Sequence, residues 1–160
     1  MPHRCSFRML TLTMAMLIGV VSMLWSAPVS WAEPTVTVYK EATCGCCDAW
    51  VGHLQAKGFS VTSADVPQAH LMAVKDTHRV PQHLRSCHTG IIEHYVIEGH
   101  VPGDVMARVL KERPDVIGLA VPGMPIGSPG MEGPNPTPYE VFSFDKDGRI
   151  QVYERVHPSK

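Results

Sequence analysis

Thr35-Val-Thr-Val-Tyr-Lys-Glu-Ala-Thr-Cys-Gly-Cys-Cys-Asp-Ala-Trp-Val-Gly-His-Leu-Gln-Ala-Lys-Gly-Phe-Ser-Val-Thr62 carries three structural signals in order. Thr35 to Tyr39 is a β-branched and aromatic run, which suits a pleated, buried surface and predicts a strand. Ala49 to Lys57 carries Trp50, Val51 and Leu54 at helical spacing, and Gly58 sits where a left-handed C-cap belongs. Phe59 to Thr62 resumes apolar alternation as a second strand. Strand, helix and strand joined this closely read as a βαβ crossover. The turn into the helix is Cys44-Gly45-Cys46-Cys47, and such turns line up at the carboxyl ends of strands, where open α/β sheets bind ligands.

Working outward, Asp65 to Val74 reads as loop and a short helix, and Val80-Pro81 forces extended backbone ahead of Cys87. Cys87 to Ile92 and Tyr95 to Ile97 read as paired strands with a tight turn near Glu93-His94. Asp104 to Arg113 places Val105, Met106, Val109 and Leu110 on one helical face and is stopped by Pro114. From Val121 to Pro138, Pro and Gly recur too often for a ladder or a helix, which predicts a long loop, and long loops in compact domains usually carry function. Tyr139 to Phe144 and Arg149 to Val156 flank Asp145-Lys146-Asp147-Gly148 as a terminal hairpin. That turn lacks the remaining ligands of a calcium loop.

The N-terminus reads as an address label. A basic head with Arg4 and Arg8 precedes the apolar run Met9 to Trp25, and Ser30-Trp31-Ala32 supplies a small-residue cleavage site, so residues 1–32 are expected to be a signal peptide. Thr and Ser within the run, and the cleavage site, favour removal over retention as an anchor. Residues 33–160 then suffice for one domain with a single core. Without Arg4 and Arg8 the basic count falls from 14 to 12 against 15 acidic residues, a net charge of about −3 with histidine neutral. Nothing in that balance recruits nucleic acid or an acidic membrane surface.

Cys5 would leave with the signal peptide, which leaves Cys44, Cys46, Cys47 and Cys87 in a compartment where thiols can oxidise. A stapling disulfide framework closes long loops, and three thiols within four residues do not. They point to a site. Cys44 and Cys47 have the Cys-x-x-Cys spacing of a redox pair, so thiol-disulfide exchange is one reading; a structural zinc module, resting on the four-cysteine count, is another. A third thiol, Cys46, would invite mispairing in an exchanger, whereas a soft metal gains a ligand from every sulfur. Met124 and Met131 add thioethers on the Pro/Gly loop, and thioether suits Cu(I) and does little for Zn(II). Of the many histidines, His88 neighbours Cys87 and His100 ends a predicted strand, so these two are the candidate imidazole ligands. His53 lies almost two turns from Cys47 and is expected to be exposed. The expected metal set is thus Cys44, Cys46, Cys47, Cys87, Met124, Met131, His88 and His100, with copper as the metal.

Thr43-Cys-Gly-Cys-Cys47, Trp50-Val-x-His-Leu54, Gly58-Phe59, Val80-Pro81, Ser86-Cys-His-Thr89, Tyr95-Val-Ile-Glu-Gly-His-Val-Pro102, Gly118-Leu-Ala-Val-Pro-Gly-Met-Pro125 and Gly127-Ser-Pro-Gly-Met131 together span nearly the whole of 33–160. With them the chain resembles the bacterial periplasmic metal-binding family of initially unknown function that includes the copper-resistance protein CopG. The resemblance implies a thioredoxin-like α/β fold with a mixed sheet and flanking helices. It also implies a cysteine-bridged cluster of several copper ions, Cu(I)/Cu(II) interconversion in copper (or silver) resistance, and other periplasmic copper-handling proteins as partners. Cys44, Cys46, Cys47 and Cys87 fall on the family's cysteine positions. The motifs fit both a copper oxidoreductase and a copper store.

Overall fold

The structure, a computed structural model, describes residues 35–158, which belong to one compact unit, Glu33–Lys160. The expected signal peptide, with Cys5, lies outside the described residues. None of the described helices is long and apolar enough to cross a membrane.

β1 (Thr35–Lys40), α1 (Gly45–Ala56) and β2 (Ser60–Asp65) form the expected crossover, with β1 and β2 parallel. α1 ends as its sequence dictates. Gly58 has φ +86°, its N–H donates to Gln55 O, and Phe59 N–H reaches back to Leu54 O. This pattern satisfies two otherwise orphaned carbonyls and brings Phe59 and Leu54 into the same core. β2 runs three residues beyond its expected end.

β3 (His88–Ile92) and β4 (Tyr95–Gly99) form the expected hairpin, and α3 (Gly103–Glu112) buries Val105, Met106 and Val109. Two elements depart from the sequence reading. α2 (Gln68–Thr77) is a full ten-residue helix where a loop and a short helix were expected, its length masked in sequence because its inward face includes the buried Lys75. β5 (Gly118–Val121) was not expected at all. It is four apolar residues, buried on both faces and therefore without alternation, directly ahead of the Pro/Gly run. β6 (Tyr139–Phe144) and β7 (Ile150–Val156) complete a seven-stranded mixed sheet of order β2-β1-β3-β4-β5-β6-β7.

The sheet separates two apolar clusters. Trp50 and Leu54 of α1 and Val105, Met106 and Val109 of α3 pack with Val36, Val38 and Ile97. Val80, Leu84, Val96, Ala120 and Phe144 form the other cluster. α2 covers part of that second face through Lys75, which reaches Thr89 and Glu98. The register then brings one end of the sheet together: Lys40, the last residue of β1, pairs with His88, the first of β3, while Thr89 pairs with Glu98 near the end of β4. Gly99 pairs with Val121, so the Pro/Gly loop also departs from that end. The cysteine turn, Cys87, His100 and the loop meet there.

His53 corrects its expectation. It is half-buried, and its Nε2 accepts the Gly103 N–H at 3.0 Å, satisfying an orphan donor at the start of α3. Accepting that bond requires a neutral ring, and burial, helped by Lys57, lowers its pKa from the ordinary 6.5. Because the folded value lies below the unfolded one, this contribution to stability is complete above about pH 6.5 and is lost as pH falls through the folded value. His53→Ala should therefore flatten the decline in stability between pH 7 and 5 and cost about 1 kcal/mol at neutral pH, the usual worth of a helix cap. Urea melts at both pH values measure this; equal slopes in the two proteins would contradict it.

Candidate metal centre

Cys44 is the N-cap of α1, so Cys46 and Cys47 occupy its first turn. The Cys47 and Asp48 N–H groups return to Cys44 O, while earlier amides of the turn have no partner within the helix. Cys47 is fully buried, and its sulfur lies 3.8 Å from the carbonyl of Cys87. Cys46 Sγ lies 3.6 Å from Cys44 Sγ and 4.0 Å from the sulfur of Met124.

The sulfurs of Cys44, Cys46, Cys47 and Cys87 all lie within 4.8 Å of one another. Cys44 and Cys47 are joined by a disulfide, and Cys46 and Cys87 are free. As a disulfide the first pair offers no thiolate, so the four-thiolate set exists only after a two-electron reduction.

Cys87 also belongs to a second group, with His88 and His100. His100 Nε2 is 3.2 Å and His88 Nδ1 3.4 Å from its sulfur. His100 Nδ1 lies 2.7 Å from Pro129 O. A carbonyl only accepts, so Nδ1 carries the hydrogen and Nε2 turns its lone pair to the thiol, which is how an outer partner orients a metal-binding imidazole. His88 is fully buried, its ring centroid 4.2 Å from that of Trp50 and tilted 34° to it, and among the described residues its Nε2 has no hydrogen-bond partner. Burial, reinforced by the neighbouring His100, lowers the His88 pKa well below the ordinary value, and burial also lowers that of His100. Both rings are neutral donors at pH 7. Burial pushes the Cys87 thiol the other way, up to about 12, with Cys46 adding to the shift. A soft metal arriving here would displace that proton and find one sulfur flanked by two imidazoles.

The Pro/Gly loop lies over the cysteine turn. Gly130 has φ +85°, and a Cβ on it would sit 2.6 Å from Cys46 O and 2.8 Å from Trp50 N, so no side chain fits. Glu132 accepts the Gly130 N–H, which lowers its carboxyl pKa. Gly130→Ala should cost about 3 kcal/mol through left-handed strain and backbone overlap, and lift the loop from the turn. Denaturant melts followed by Trp50 fluorescence would read this. A loss below about 1 kcal/mol would mean that the loop is not pinned there.

Of the expected site residues, Cys44, Cys46, Cys47, Cys87, His88 and His100 come together, and Met124 reaches Cys46 from the rim with 38% exposure. Met131 is half-buried and held through its backbone, its N–H donating to Ser128 O and its carbonyl accepting from Gly127; among the described residues its sulfur makes no comparable contact. Trp50, Pro129 and Gly130 were missed. Trp50 reads from sequence as core alone, and the other two act through backbone, which no residue-type pattern signals. An open cleft lined by Pro122, Pro125, Tyr139, Phe142, Arg155 and His157 contains none of the cysteines.

Residues 84–131, which hold Cys87, both imidazoles and most of the loop, match the family model described as "Protein of unknown function, DUF411". No curated protein matches the chain. Two solved structures of "Copper resistance protein copG", Form 2 and Form 1, are 41% and 42% identical to it. Each superposes with a TM-score of 0.72 and covers 79% of this chain and 100% of its own. At that identity and coverage, with the cysteine turn and the DUF411 segment meeting at one end of the same mixed sheet, the chain belongs to the DUF411 family of the copper-resistance protein CopG.

Proposed function

We propose that this chain is a periplasmic copper-binding protein of copper (or silver) resistance, in which the four cysteines hold a cysteine-bridged, polynuclear copper cluster. The observation that carries the reading is the convergence of four sulfurs within 4.8 Å, one of them also flanked by two neutral imidazoles. Soft donors in this number suit Cu(I), imidazoles add donors suited to Cu(II), and a bridging thiolate serves two ions at once. The names of the solved relatives support copper over zinc. A thioredoxin-like scaffold is supported by the Cys-x-x-Cys turn between β1 and α1 in a parallel crossover. Periplasmic location is supported by the basic head, apolar run and Ser30-Trp31-Ala32 site. Mixed S and N donors beside a reducible disulfide favour Cu(I)/Cu(II) interconversion, and other copper-handling proteins of the periplasm would be its partners. Metal analysis of protein purified from copper-exposed cells should find more than one copper per chain. Less than one, lost on buffer exchange, would overturn the reading.

The Cys44–Cys47 disulfide specifically favours a second reading, thiol-disulfide exchange by that pair. Reduction of insulin disulfides by the metal-free protein should then survive Cys46→Ser and vanish in Cys44→Ser. Inactivity of the parent protein removes it.

A further inference from the structure

Glu98 belongs to the Tyr95-Val-Ile-Glu-Gly-His-Val-Pro102 motif, yet the copper reading gives it no role. Its side chain is fully buried near the end of β4. One oxygen accepts the Ser86 N–H at 2.6 Å and the Lys75 ammonium at 2.5 Å; the other accepts the Thr89 hydroxyl at 2.8 Å. Lys75 Nζ in turn donates to Thr89 Oγ1 at 2.9 Å. Burial pushes the carboxyl pKa up, and Lys75, Ser86 and Thr89 all pull it back.

Two facts set this group apart from an ordinary stabilising ion pair. A buried salt bridge seldom outperforms apolar residues of the same volume, so net stability is a poor explanation for burying two charges here. The partners also have a pattern: Ser86 immediately precedes Cys87, and Thr89 immediately follows His88. One carboxylate thus grips the chain on both sides of the two residues that present sulfur and imidazole to the centre.

We infer that Glu98 is a positioning residue for Cys87 and His88, with Lys75 as its counter-ion, fixing the dipeptide in its ligating pose before metal arrives. The inference rests on the proposed copper site for its meaning, but its structural content is testable without metal. The Ser86 N–H needs an acceptor, which a glutamine amide oxygen supplies and a leucine does not. Glu98→Gln/Lys75→Met therefore removes both charges and keeps the Ser86 bond. Glu98→Leu/Lys75→Met removes the charges and the clamp at nearly constant volume. Thr89→Val releases only one arm.

The metal-free protein, with its Cys44–Cys47 disulfide intact, would be treated with iodoacetamide, and labelling of Cys87 and Cys46 followed by peptide mass mapping. The Cys87-to-Cys46 rate ratio should rise about tenfold in Glu98→Leu/Lys75→Met, about threefold in Thr89→Val, and stay within about twofold of the parent in Glu98→Gln/Lys75→Met. In a parallel Cu(I) competition the leucine double variant should lose about 10- to 100-fold in affinity, the usual cost of losing an outer-shell partner, while the glutamine double variant stays near the parent. A role in stability alone predicts that the two double variants share the same ratio and affinity, and that result would overturn the inference. If the leucine double variant does not fold, Thr89→Val decides, and an unchanged ratio there rejects the clamp. Failure of the parent to bind copper would sink the functional reading and leave the labelling result to judge the clamp by itself.

Discussion

Cys87→Ser should cost more Cu(I) affinity than loss of any other single side chain, by more than about 100-fold and so beyond the range of outer-shell substitutions. Cys87 is the one residue common to both ligand groups. Its sulfur faces the cysteine turn on one side and His88 Nδ1 and His100 Nε2, at 3.4 and 3.2 Å, on the other. Serine keeps the shape and a hydrogen-bonding atom, so the fold should survive, but its oxygen is a hard donor mismatched to Cu(I). Cys46→Ser, at the half-buried position beside Met124, should cost less because Cys46 belongs to only one of the two ligand groups. Competition against a chromophoric Cu(I) chelator ranks the variants. A Cys87→Ser protein within threefold of the parent would place the centre elsewhere.

Oxidation of the cysteine turn should act nearly as strongly. With Cys44 and Cys47 paired, Cys46 and Cys87 are the only free thiols among the described residues. Thiolate donors fall from four to two, and Cu(I) bound per chain should fall by about half or more on going from reduced to oxidised protein. Cys44→Ser/Cys47→Ser should match the oxidised parent and ignore reductant. Copper capacity that is the same in both redox forms of the parent would mean that the Cys-x-x-Cys pair is no part of the metal set.

How much of this was legible in sequence follows from how local each signal is. β1, α1 and β2 were readable because periodicity, a C-cap glycine and a β-branched run lie within 28 residues, from Thr35 to Thr62. α2 was undersized in the reading because Lys75 occupies an inward position, and the reason for that lysine, Glu98, lies 23 residues away. β5 was invisible because a strand buried on both faces shows no alternation. For the centre, the residue types were legible and the geometry was not. Cys87 and His100 were placed by type and by neighbouring motifs, but their 3.2 Å contact depends on the β3–β4 register. His53 was misjudged for the same reason, since its partner is the Gly103 amide, 50 residues on. Backbone partners such as Pro129 O and the bare Cα of Gly130 leave no residue-type signature.

The most direct test is an anaerobic Cu(I) titration of the reduced 33–160 chain with thiols counted at each step and Trp50 fluorescence recorded alongside. Trp50 is the sole tryptophan of that segment, and its ring lies 4.2 Å from His88, so it reports on the centre itself. The account predicts uptake of more than one Cu(I) per chain, protection of all four thiols, proton release from Cys87 and a fluorescence change that saturates with the copper. One equivalent or less, with Cys87 still reactive and Trp50 unmoved at the endpoint, would contradict it.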